Sequence, residues 1–139
     1  MPRLSFLDTN IFIYAQDGRD KRKQKVAATL IRKLIEQRSG VISTQVIQEF
    51  CNAGRKPDIN LATPIVMETI RFVLRPLLAQ RPSIEFYIDT LELSSRNSLS
   101  FYDALIIQAA LDMGCDTLYS EDLQHGQKFG KLTIVNPFI

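Results

Sequence analysis

Apolar residues in this chain fall alternately into short runs and spaced stripes. Leu4-Ser5-Phe6-Leu7 is a brief run with the bulk of a buried strand. It stops at Asp8-Thr9-Asn10 and resumes as Ile11-Phe12-Ile13-Tyr14, opening a helix or turn that Asp17-Gly18 interrupts. From about Lys21 to Gln37, Val26, Leu30, Ile31 and Leu34 recur at three-to-four spacing, one face of a helix whose other face is basic. Ser39-Gly40 is expected to close that helix. Val41-Ile42-Ser43 reads as a strand, and Thr44 as the N-cap of a helix running to about Ala53. Residues 54–60 form a loop around Pro57 and Asp58. A helix follows from Thr63-Pro64 to about Val73, then a strand over Leu74–Ala79 that Pro76 confines to a sheet edge. Ser83 to Ser95 is helical. From Ala104 to Met113 apolar residues surround the helix that starts at Ser100, which places it in the middle of the domain. Thr117–Ser120 and Thr133–Val135 are strands, separated by a Gly-, His- and Lys-containing loop. Strands alternating with helices predict an α/β sandwich around a mainly parallel sheet, in a single domain over residues 1–139.

Composition adds bounds. A length of 139 residues with 45% hydrophobic and 23% charged residues suits one soluble domain with a real core. The net charge of +2 gives no global field toward nucleic acid. The local distribution is uneven: Arg19, Lys21, Arg22, Lys23 and Lys25 crowd one segment and Arg32, Lys33 and Arg38 follow, either a solvated helix face or a phosphate-binding rim. Two cysteines, Cys51 and Cys115, make neither a disulfide framework nor a metal motif and are expected as buried thiols. The chain carries no signal-peptide pattern and no apolar run near the roughly 20 residues of a membrane span, so a cytoplasmic location is expected.

The candidate chemistry lies in acids. Asp8 ends one strand, and Glu121-Asp122 follow another. Asp103 opens the apolar helix just before that second strand, and Glu49 flanks the apolar stripe of an earlier helix. Each has a bland role as a turn residue, cap or solvated carboxylate. In a parallel sheet, however, strand ends share one edge, where ligands bind. Carboxylates crowded there need a cation or a shared proton, so at least one is expected to have a raised pKa through mutual repulsion. Oxygen donors of this kind suit one or two Mg²⁺ or Mn²⁺ ions, which serve phosphodiester displacement. Thr9, Asn10 and Ser120 are placed to support such a site. A serine triad would have to use the only histidine, His125, and no G-x-S-x-G elbow or glycine-rich phosphate loop exists.

Four stretches carry a resemblance: Leu7-Asp8-Thr9-Asn10, Gln48-Glu49-Phe50, Ser100-Phe101-Tyr102-Asp103-Ala104-Leu105-Ile106, and Ser120-Glu121-Asp122. In this order they resemble the PIN-domain ribonucleases. The length and the Ile134-Val135-Asn136-Pro137-Phe138 ending look like the VapC-type toxins of toxin–antitoxin pairs. The resemblance implies a three-layer α/β/α fold, a metal-dependent endoribonuclease, a homodimer and a small antitoxin partner. It assigns Asp8, Glu49, Asp103 and Asp122 to the acidic metal site, with Asp122 matching the family position better than Glu121. RNA would be steered by Lys21, Arg22, Lys23, Lys25 and Lys128. Two other readings stand beside it: a PIN-fold protein acting only through its protein partner, and a metal-dependent hydrolase of DNA or small phosphate esters.

Overall fold

The computed structural model describes residues 3–139. Met1 and Pro2, within the single domain expected over residues 1–139, lie outside them. The strands are β1 (Ser5–Leu7), β2 (Gly40–Ser43), β3 (Leu78–Gln80), β4 (Thr117–Tyr119), β5 (Lys128–Phe129) and β6 (Leu132–Val135). The helices are α1 (Thr9–Gln16), α2 (Lys21–Glu36), α3 (Thr44–Gly54), α4 (Thr63–Thr69), α5 (Arg75–Leu77), α6 (Ile84–Asn97) and α7 (Phe101–Asp112). The sheet runs β3-β2-β1-β4-β6-β5, every pairing parallel except β5 with β6. Helices flank it in the expected three-layer α/β/α order. The chain leaves β1 toward β2 on one side and returns to β4 on the other. The carboxyl ends of β1 and β4 therefore meet where the strand order reverses, the usual ligand crevice of such sheets.

The core explains the elements. Phe6, Leu7, Ile42, Leu118 and Ile134 from the sheet are fully buried, together with Phe12, Val46, Phe50 and Ile107 from the helices. Helix α7 buries Ala104 through Ile107, Ala109 and Ala110, so its uniformly apolar sequence does mark an interior helix. Gly114 ends it in the left-handed region at φ 71°. No helix among the described residues is long and apolar enough to cross a membrane.

Several boundaries differ from expectation. Leu74 to Leu77 is helical rather than strand, and only Leu78–Gln80 joins the sheet, at its edge. The helix widens into a π turn over Ile70–Leu74, in which the Arg75 N–H reaches the Ile70 carbonyl. Pro76, lacking an N–H, directly follows the π turn in the short α5, and the widened turn ahead of it is where the regular hydrogen-bond ladder breaks. Ser43, not Thr44, occupies the cap position of α3, and its hydroxyl makes no capping bond. Helix α2 turns out through Arg38 at φ 53°, while Gly40 belongs to β2. A Cβ on Gly40 would stand 3.0 Å from Leu34 Cβ, so close strand–helix packing explains that glycine. The loop before β6 contains the short antiparallel strand β5. Cys115 is buried, which pushes its thiol up to about 12, whereas Cys51 is only half-buried.

Candidate active site

The β1–β4 switch point opens into a cleft of about 430 Å³. Asp8, Glu49, Asp103 and Asp122 all line it, each delivered by a different element. Asp8 follows β1 and caps α1, its Oδ1 accepting from the Thr9 N–H at 2.7 Å. Its Oδ2 accepts from the Ser120 hydroxyl at 2.7 Å, just beyond β4. The β1–β4 pairing sets this contact, since Asp8 N–H also donates to the Tyr119 carbonyl. Glu49 on α3 accepts at Oε1 from the Thr9 hydroxyl at 2.8 Å. Asn10 ties the other side together. Its amide donates to Asp122 Oδ2 at 3.2 Å, and its carbonyl oxygen accepts from the Glu121 N–H at 3.2 Å. Asp103 stands exposed in the first turn of α7, where its N–H donates to the Ser100 hydroxyl. No bond from Ser100 N–H to the Asp103 carboxylate closes a capping box among the described residues.

Electrostatics single out Asp8. Burial raises its carboxyl from 3.8 to about 6, working against the lowering bonds from Ser120 and Thr9. Repulsion from Glu49 and Asp122 adds a smaller upward push. The expected raised carboxyl is therefore present, but desolvation rather than crowding is its main cause. Glu121 behaves differently from Asp122. Burial acts to raise it, but hydrogen bonds from Lys23 and Tyr14 outweigh that and leave it below the usual range. Lys23 also lies over the Tyr14 ring, 4.7 Å from its centroid. Glu121 is thus neutralised by its own cation, while among the described residues the Asp122 side chain bonds only to the amide of Asn10 and its backbone N–H reaches Ser120.

The donor set, four carboxylates with hydroxyl and amide oxygens beside them, matches a hard divalent cation in kind. As they stand, no three acidic, histidine or cysteine side chains among the described residues are gathered closely enough to grip an ion. Like charges without a cation between them keep apart, and Thr9 and Asn10 hold Glu49 and Asp122 in place meanwhile. Side-chain rotation of the exposed or half-buried acids is what closure onto an ion would require.

The basic residues expected to steer RNA are distributed otherwise. Lys23 is engaged with Glu121, and Arg22 donates to the Phe138 carbonyl at 2.9 Å. Lys21, Arg22, Lys25 and Lys128 do not line the cleft; Arg19 and Lys56 do. Arg19 is clamped by Asp17 through bonds of 2.6–3.0 Å. Arg19 heads the basic run weighed from sequence as a phosphate-binding rim, whereas Lys56 was not singled out, being a lone cation in an irregular connection. Tyr102 and Asn52 also line the cleft and were likewise not assigned. For Tyr102, the signal was present: an aromatic directly before a candidate site acid, at the solvent end of an otherwise apolar helix.

Comparison with known proteins follows the same lines. Solved structures share the fold: VapC20 of Mycobacterium tuberculosis, a sarcin-ricin loop cleaving toxin, matches at TM-score 0.63 and 18% identity over 85% of this chain and 89% of its own. VapBC2 of Rickettsia felis, bound to a DNA fragment from its promoter, matches at 0.65 and 18% over 94% and 96%. FitAcB of Neisseria gonorrhoeae matches at 0.63 and 15% over 97% and 99%. Among curated proteins, no relative matches the sequence. The profile of the PIN domain matches residues 5–128, and the chain belongs to the PIN domain family.

Proposed function

We propose that this chain is a Mg²⁺- or Mn²⁺-dependent endoribonuclease, the toxin of a cytoplasmic toxin–antitoxin pair, built as a single PIN domain and working as a homodimer. The observation that carries the reading is the delivery of four carboxylates, from four elements, to one cleft at the sheet's switch point. Membership of the PIN family supports a nuclease, and VapC20's description as a loop-cleaving toxin supports RNA as the substrate. The VapC likeness favours a small antitoxin as partner. Exposed Ile65, Met67 and Phe72, and Ile84, Ile88 and Leu91 on α6, offer apolar surface for a second copy.

Asp8, Asp103, Glu49 and Asp122 would hold the ion, which when bound stabilises the charge developing on a phosphodiester. The chain's own groups do the rest. Ser120 and Thr9 fix Asp8. Thr9 holds Glu49 by Oε1, leaving Oε2 to take a proton from the attacking water. Asn10 aligns Asp122. Arg19 and Lys56 on the rim pair with backbone phosphates. Incubating RNA, DNA and nucleotide substrates with the protein, in Mg²⁺ or Mn²⁺ and in chelator, tests the reading. Cleavage of RNA only with metal is the expected result. Cleavage confined to DNA or nucleotides, or none in any condition, overturns it. Sedimentation showing only monomer at micromolar concentration removes the dimer.

A further inference from the structure

Beside the acidic cleft lies a second recess of about 260 Å³, and Tyr102 forms part of the wall of both. Its character is the reverse of the cleft's. No charged side chain among the described residues lines it. Two edge-to-face aromatic pairs stand at it, Phe101 with Tyr102 from α7 and Phe86 with Tyr87 from α6, with ring centroids 5.7 and 5.6 Å apart. Tyr102 is 68% exposed, so most of its planar surface is open beside Phe101. Amide side chains of Gln45, Gln48 and Gln80 complete the lining.

Two polar atoms there find no partner among the described residues. They are the buried Ser43 hydroxyl and Gln45 Nε2, and both residues line the recess. Ser43 is 2% exposed and sits at the cap position of α3, yet its hydroxyl does not cap. A buried amide or hydroxyl without a partner is costly and calls for one. The required partner is planar enough to lie against tyrosine, uncharged, and carries hydrogen-bonding groups on its edge. The volume is below the roughly 300–1,000 Å³ of drug-sized pockets and suits one heterocycle.

We propose that this recess is a nucleobase subsite. It takes the base of one unpaired nucleotide next to the phosphodiester held in the acidic cleft, stacked on Tyr102 and read at its edge by Gln45 and Ser43. The inference deepens the ribonuclease reading and rests on it. A single strand supplies what the recess needs, since unstacked RNA bases are recognised by aromatic stacking and edge hydrogen bonds. The lining offers no charge to neutralise a phosphate or a cation, and the shared wall fixes the base at one position relative to the cut.

The test is an abasic walk. Short single-stranded oligoribonucleotides, each lacking one base at a successive position, are titrated against Asp103→Asn protein in chelator, with binding read by fluorescence anisotropy. Intact oligoribonucleotides are given to the unmutated protein in Mn²⁺ in parallel. One abasic position should weaken binding about 5- to 150-fold more than its neighbours, the usual range for a stacked base. Added Tyr102→Ala should erase that contrast, Tyr102→Phe should keep it, and Gln45→Met should flatten the preference among the four bases there. A flat walk with normal cleavage overturns the subsite alone and gives the recess to water or a protein side chain. A position-dependent walk without cleavage overturns the nuclease reading and leaves the subsite standing. Neither binding nor cleavage overturns both.

Discussion

Asp8 and Asp103 face the same cleft under opposite conditions. Asp8 is buried at a strand end, with both oxygens held by Thr9, Ser120 and Asn10. Asp103 stands in solvent, and only its backbone N–H takes part in the local cap. Keeping Asp8 ionised costs stability, because burial raises its carboxyl to about 6. Asp103 carries no comparable burial. The site thus concentrates its desolvation cost in one rigid acid and sets around it the exposed Asp103 and two acids, Glu49 and Asp122, each held by a single side-chain bond. That division suits a centre in which one ligand is preorganised and the others close on an ion.

The largest expected effect comes from removing the rigid charge. Asp8→Asn should lower RNA cleavage by at least about 10²–10³-fold, the scale on which a preorganised charge-stabilising group acts. The same change should stabilise the metal-free protein at pH 7. Asp8 holds its proton more tightly folded than unfolded, so its favourable contribution to wild-type stability is complete below pH 3.8 and is lost as pH rises through about 6. The shift corresponds to on the order of 3 kcal/mol. Melting curves of wild type and variant without metal should therefore diverge between those pH values, the variant being the more stable above pH 6. Parallel curves would show that Asp8 carries no desolvation cost.

Ser120→Ala sharpens the contrast from the other side. It deletes the 2.7 Å donor to Asp8 and the acceptor for the Asp122 N–H. A loss of about 1–3 kcal/mol is expected for leaving a buried charge short of a partner, with cleavage down about 10–100-fold as for supporting groups at metal sites. Unchanged melting and kinetics would make the hydroxyl incidental.

Glu121→Gln should have the smallest effect. Its partners Lys23 and Tyr14 already remove it from the cleft's charge balance. The pair is partly exposed, so about 0.2–1 kcal/mol is expected from unfolding measurements. That contribution is present above the ordinary glutamate range and fades as pH falls through the lowered pKa. Cleavage within a few-fold of wild type is the expected outcome, against a large loss for Asp122→Asn. Equal losses for the two would end the distinction between neighbouring acids.

The same contrast shows what the sequence could and could not disclose. Asp8 alone was legible only as a cap, which it also is, and α7 was legible because no surface helix is apolar all round. The four acids were legible as a set through their shared family motifs. Hidden were the choices that tertiary packing makes. Lys23 reads like its neighbours Lys21 and Lys25 until Glu121, nearly a hundred positions away, is brought beside it. Arg19 and Lys56 reach the cleft from loops whose paths no periodicity encodes. The π turn before Pro76 and the two-residue β5 are too short to leave a repeating pattern. The recess beside Tyr102 is assembled from β2, α3, β3, α6 and α7, so no single stretch announces it.

The most direct test of the metal-nuclease account is Asp103→Asn. Asparagine keeps the size of the side chain and leaves the backbone bond to Ser100 untouched. RNA cleavage in Mn²⁺ and a melting curve, each for wild type and variant, are the measurements. The account predicts cleavage reduced at least about 100-fold, with stability changed by no more than about 0.5–1 kcal/mol. Cleavage at the wild-type rate would reduce Asp103 to a residue of the helix's first turn and contradict the assignment of this cleft as the catalytic site.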